Sequence, residues 1–256
     1  MRNHALTIII LLAVIFSSCS HVYTPALYHQ DITYLPKPAS FDTAKVATYI
    51  SAGGGFNTNT DYSDALYNGQ VNLSQGFRLN HVNLAYGVFG EAGDYENSHS
   101  TGDANAVNNF SDKFFGAVGA RASANLYTNL GQFDFRYLGF EAAYSHEFGS
   151  YADFRKSIYG MSGFDVDPRT DLVSLGATSE LYFHSLHNNN LQHGIRVFLG
   201  GTFGHYDIDY QTLAAPTDSK FFHELYPKAS YFIKYKKYFG SIEFGNGLFA
   251  RVGFQF

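Results

Sequence analysis

The chain has 256 residues and a formal net charge of −5; 15% of its residues are charged and 18% aromatic, with 20 Tyr, 25 Phe and no Trp. Low charge with abundant aromatics excludes a disordered chain, and the small acidic excess excludes a nucleic-acid binder, which carries a basic surplus. A mean hydropathy of −0.16 without long apolar runs excludes a helical membrane protein, and the single cysteine excludes an internal disulfide or a multi-cysteine metal site.

The first element is a leader. Met1-Arg2-Asn3-His4 is a short positive start, and the apolar run Ala5 to Phe16 follows it. As a helix that run covers about 18 Å, far short of the roughly 30 Å hydrocarbon core, so residues 1–18 read as a signal peptide. Phe16-Ser17-Ser18-Cys19 resembles a bacterial lipobox, with Phe where Leu, Val or Ile is usual. The resemblance implies that Cys19 carries a diacylglycerol anchor and, with no Asp after it, that the protein is exported to the outer membrane. Residues 19–43 hold Pro25, Pro36 and Pro38 and no sustained period. They read as an extended periplasmic tether, one that could also dock a partner or plug a lumen.

From residue 44 onward apolar and polar side chains alternate with period two, interrupted by Gly, Asn and Asp. Leu248, Ala250, Val252, Phe254 and Phe256 share one face of the last segment, and Arg251, Gly253 and Gln255 share the other. The same pattern predicts strands near 44–56, 65–78, 81–94, 113–128, 133–148, 170–185, 191–206, 221–235, 237–244 and 248–256. About ten are expected, or eight if the two short final ones are irregular. Short links alternate with longer ones at 57–64, 95–112, 149–169 and 207–220. Transmembrane barrels combine short inner turns, long outer loops and an even strand number in this way.

Period two alone does not separate a membrane barrel from a soluble one. The face opposite the apolar one decides: it is small and amide-rich with scattered charges, which suits a polar interior, so the apolar face meets lipid. Aromatics gather near strand ends as girdles do, although Pro227 falls within an expected strand. The chain's end, with Val252 and Phe254 before a terminal Phe256, resembles the assembly signal of outer-membrane β-barrel proteins. The fold expected over 44–256 is therefore an all-β, closed antiparallel transmembrane β-barrel. Its expected surroundings are outer-membrane lipids, the barrel-assembly machinery during insertion and possible envelope partners, with both termini facing the periplasm.

Parity turns Arg121, Arg196, Lys228, Lys234 and Arg251 inward, together with Glu91, Glu141, Glu147, Glu180, Glu224 and Glu243. Opposite charges in a narrow lumen must pair, so a salt-bridge lattice across the lumen is expected, with Tyr49, Tyr182 and Phe232 as bulk. Neither cofactor nor metal is called for, and Gly53-Gly54-Gly55 lacks the residues of a phosphate loop. The expected role is non-enzymatic, structural or as an accessory subunit of a surface complex, with outer loops 95–112 and 149–169 as contact surfaces. Two alternatives remain. One is a narrow solute pore. The other is a surface hydrolase built from Asp165, Asp167, His205, Asp207 and Asp209, which loosely resemble elements of the omptin proteases but depart from them in order and spacing.

Overall fold

Alternation along the chain becomes ten long strands in the computed structural model, which describes residues 21–58, 64–97, 106–185, 188–203 and 225–256. A short strand β1 (His21–Tyr23) comes first. It is followed by β2 (Val46–Thr58), β3 (Ala65–Arg78), β4 (Val82–Glu96), β5 (Asp112–Asn129) and β6 (Phe133–Phe148). Helix α1 (Ser150–Ile158) and a second short strand β7 (Phe164–Val166) separate β6 from β8 (Asp171–Ser185). The chain ends with β9 (Asn188–Phe203), β10 (Tyr226–Tyr235), β11 (Tyr238–Phe244) and β12 (Gly247–Gln255). Strands β2–β6 and β8–β12 form a closed antiparallel barrel of ten strands, sealed where β12 pairs with β2. β10 begins at Tyr226, so Pro227 is its second residue, outward-facing, where the missing N–H is tolerated.

At one end the strands are joined tightly. His81, Gly131 and Lys236 have φ of 61°, 79° and 56° in three of these turns, the left-handed backbone that reverses a chain in few residues. The longer connections lie at the other end. Outward positions hold side chains such as Val71, Val88, Val118, Val197, Leu199 and Val252, each at least half exposed. Among the described residues, the only Lys, Arg, Asp or Glu on that face are Asp94, Glu96, Asp112 and Asp171, all close to the long-loop ends of their strands. From Val82 to Ala92 the uncharged band of β4 rises about 25 Å at ~3.3 Å per residue and a tilt of ~40°. Water-facing strands are not left without charge over such a length; lipid-facing ones are.

Two local features adjust the interior. Gly53 and Gly55 face the lumen where β12 crosses closely: a Cβ on Gly53 would lie 2.3 Å from the Ala250 carbonyl oxygen. In β6 the register shifts between Arg136 and Gly139, so that Tyr137 and Leu138 both face outward. Strict alternation from Glu141 would turn Arg136 to lipid, and the bulge returns it to the lumen.

The segment expected as a periplasmic tether lies elsewhere. Residues 21–39 are almost entirely buried, threaded through the barrel from the long-loop end to the tight-turn end before entering β2. A ten-strand ring is wider than the eight-strand one that side chains alone fill, and its inward positions include small residues such as Ser51, Ser74, Ser145, Ser174 and Ser241. The extra space is filled by main chain. At the N-terminal end, the expectation that both termini share one side falls on residues outside those described. Val46 and Phe256 lie at the tight-turn end, where the Phe256 N–H donates to Thr48 O at 2.9 Å, and His21 lies at the other.

Candidate functional site

Among the described residues, the occupied lumen gathers most of the buried charge, and the threaded segment can be followed down it contact by contact. At the long-loop mouth β1 pairs in parallel with β7, and His21 Nε2 lies 2.9 Å from Asp64 Oδ2. Ala26 N–H donates to Glu147 Oε2 at 2.7 Å and His29 N–H to Thr202 Oγ1 at 3.0 Å. At mid-height Arg121 donates to the Asp31 carbonyl, to Thr33 Oγ1 (2.6 Å) and to Asn72 Oδ1 (2.8 Å), with its guanidinium 3.7 Å over the Phe89 ring. Lys228 Nζ donates to Ile32 O at 2.9 Å. Tyr34 N–H donates to both oxygens of Glu243 at 3.0 and 3.1 Å, and Arg251 donates to Tyr34 O.

Lower down, Lys37 is fully enclosed. Its Nζ donates to Asn125 Oδ1 (2.6 Å), Glu180 Oε1 (2.8 Å) and Ser123 Oγ (2.9 Å). At the tight-turn end Ser40 N–H donates to Asp134 Oδ2 at 2.9 Å, while Asp42 accepts from Gln192 (2.6 Å) and Lys234 (3.0 Å). Aromatic contacts fill the remaining width: Tyr34 stacks on Phe232 with centroids 4.9 Å apart. Cavities between segment and wall are water-sized, about 20 Å³ beside Gln70, Glu91 and Lys228 and about 10 Å³ beside His29 and Asp31.

The long-loop mouth carries a cap. Loop 149–169, expected as a solvated contact surface, instead turns α1 and β7 inward over the segment. Tyr151, Phe154 and Ile158 pack with Tyr23, Leu27, Tyr95 and Phe115, and Tyr95 stacks on Tyr151 with centroids 4.0 Å apart. Burial holds the Tyr151 hydroxyl well above its ordinary pKa, so it stays protonated and donates to Thr24 O at 2.8 Å. Arg155 ties α1 to the wall through Glu147 (2.6 Å) and to the carbonyls of Asp167 and Arg169.

Of the residues assigned to the lumen from sequence, Glu91, Arg121, Glu141, Glu180, Arg196, Lys228, Glu243 and Arg251 are all buried inside it. Glu224 and Cys19, the residue expected to carry the anchor, lie outside the described residues. Direct ion pairs join Arg196 to Glu141, Arg251 to Glu243 (3.4 Å) and Arg136 to Glu180 (2.6 Å). Part of the expected cross-lumen lattice is replaced, however, by bonds to the segment, whose carbonyls and hydroxyl accept from Arg121 and Lys228; Glu91 instead accepts from Asn68 and from Gln70 (2.5 Å) on the neighbouring strand β3. The physical reason is reach. A main chain running down the axis offers acceptors closer than the far wall does. Sequence reasoning missed Arg136 because of the bulge and Lys37 because it precedes the strands. The Tyr, Leu and Ile residues of 23–35, too apolar for a solvated tether, were the available signal. Val252 faces outward near the C-terminus and Phe254 packs edge-on against Tyr238 and Phe256.

Of the residues considered for a surface hydrolase, Asp167 has its carboxylate taken up by Arg169 at 2.7 and 3.0 Å, while His205, Asp207 and Asp209 lie outside the described residues. Among the described residues no group of three or more His, Cys, Asp or Glu is placed to hold a metal ion.

No protein-family model matches the chain, and no curated protein matches it. Solved structures with a similar arrangement are Gram-negative outer-membrane β-barrels. Neisserial surface protein A is 12% identical, over 82% of this chain and 96% of its own, with a TM-score of 0.35. The translocator domain of the autotransporter NalP from Neisseria meningitidis is 9% identical, over 85% and 90%, with a TM-score of 0.40. The monoaromatic hydrocarbon channel TodX is 11% identical, over 84% and 69%, with a TM-score of 0.39. Likeness of this degree reaches no further than the general plan of a barrel.

Proposed function

We propose that this chain is an outer-membrane β-barrel lipoprotein whose lumen is closed by its own N-terminal segment, and that it serves as a non-enzymatic structural or accessory component of the cell envelope. The observation that carries this reading is the chain of bonds from Ala26 to Asp42 that ties the segment to the wall through the whole height of the barrel. A solute path would have to displace Lys37 from three partners and Tyr34 from Glu243 and Phe232. The uncharged exterior favours lipid as the surroundings, and the lipobox resemblance at Cys19 favours acylation. The barrel-assembly machinery and neighbouring envelope proteins are the partners this role implies.

Planar-bilayer recording tests the closed lumen. The purified chain is expected to give no stable conductance steps, whereas a variant with residues 24–40 replaced by a short Gly/Ser linker gives them. Stable ohmic steps from the unaltered chain would favour the narrow-pore reading instead.

A further inference from the structure

Ten strands return a chain to the side on which it began. This chain has one more pass. Its contacts run in strict order down the barrel: His21 with Asp64 beside the long-loop end of β3, His29 with Thr202 near the end of β9, Asp31 with Arg121 midway along β5, Lys37 with Asn125 four residues further, and Asp42 with Lys234 next to a tight turn. The starting point is fixed independently by β1, which pairs with β7 in the capping loop, with the Asp167 N–H donating to Tyr23 O at 3.0 Å.

We propose that residues 21–43 are an eleventh crossing of the membrane, so that the N-terminal end at His21 is presented on the long-loop face, opposite to Phe256. This rests on the reading of the barrel as a membrane barrel, but not on its being closed to solutes. The consequence reaches Cys19. Two residues of fully extended chain span about 7 Å, so on this proposal a diacylglyceryl group at Cys19 would start from the long-loop side. A lipoprotein whose acyl chains start on the inner side would need its tether to enter at the tight-turn end. The segment enters at the other. In the outer membrane, where the long loops of such barrels face outward, the barrel is then a device that carries its own N-terminus to the cell surface.

The test is thiol accessibility in intact cells, with a maleimide joined to a polyethylene glycol too large to cross the outer membrane. Ser20→Cys reports the N-terminal end, Val107→Cys the long-loop face and Leu130→Cys a tight turn; the parent chain, with Cys19 as its one cysteine, sets the background. Val107 and Leu130 are both more than half exposed, and folding of each variant is checked by heat-modifiable gel migration. The expected result is that Ser20→Cys and Val107→Cys are modified in intact cells, and Leu130→Cys only after the membrane is opened. A thiol at position 20 that follows Leu130→Cys, or that reacts only after denaturation, overturns the proposal. If Val107→Cys and Leu130→Cys react alike in intact cells, the membrane-barrel reading itself fails.

Discussion

Lys37 Nζ sits 2.8 Å from Glu180 Oε1, and the other oxygen of the same carboxylate accepts from Arg136 at 2.6 Å. One anion thus serves two cations, one from the threaded segment and one from the wall, and all three side chains are fully enclosed. Removing one member of a buried pair costs about 3–5 kcal/mol, because its partner is left charged and dry. Glu180→Gln is therefore expected to destabilise the barrel by about that amount. Lys37→Met, which leaves the Arg136–Glu180 pair intact, should cost less. The temperature at which the folded gel band disappears measures both; an equal or reversed order would contradict the shared-anion arrangement.

Gly53 and Gly69 differ in what surrounds them. A methyl group on Gly53 would collide with the β12 backbone, whereas one on Gly69, on the outer face, would meet only a carbonyl oxygen at 3.8 Å. Gly53→Ala should cost about 1–3 kcal/mol by overpacking, and Gly69→Ala should stay within about 0.5 kcal/mol. The same gel assay separates them, and a neutral Gly53→Ala would show that β12 is free to move away.

Lipid contact makes its own demand. Val88 lies near the middle of the uncharged band on β4 and is 57% exposed. Val88→Arg should cost about 2–4 kcal/mol in a bilayer, while Val107→Arg in a loop should cost little. Folding efficiency into vesicles reports the difference. If both variants fold equally well, water rather than hydrocarbon surrounds the barrel.

Acylation is checked more simply. Cys19→Ala is expected to abolish metabolic labelling by palmitate. Label retained in that variant would remove the anchor from the protein.

The barrel was legible because its signal is periodic. Alternation alone turns Arg121, Arg196 and Arg251 to one side and Val118, Val197 and Val252 to the other, and the links of unequal length set the two ends. What was not legible follows no period. Arg136 reaches the lumen only because the register shifts beyond it, which no pattern of residue types in β6 announces. Residues 24–43 adopt no regular strand or helix, so their fit is a series of separate contacts. Arg121 grips the Asp31 carbonyl across 90 residues and Arg251 the Tyr34 carbonyl across 217. Such contacts depend on side chains assembled from distant strands, and local sequence carries no trace of them.

That assembly also fixes the girth of the barrel. A ring closed one hairpin short, at eight strands, has room for side chains but none for a polypeptide along its axis; its lysines, arginines and glutamates would face one another without the carbonyl and amide groups that now satisfy them. Arg251 and Glu243 come from the last two strands, Glu243 taking the Tyr34 N–H and Arg251 its carbonyl. Only a ring that has recruited both closes on the segment with its charges matched. The occupant acts as a gauge, penalising any circle of the wrong circumference.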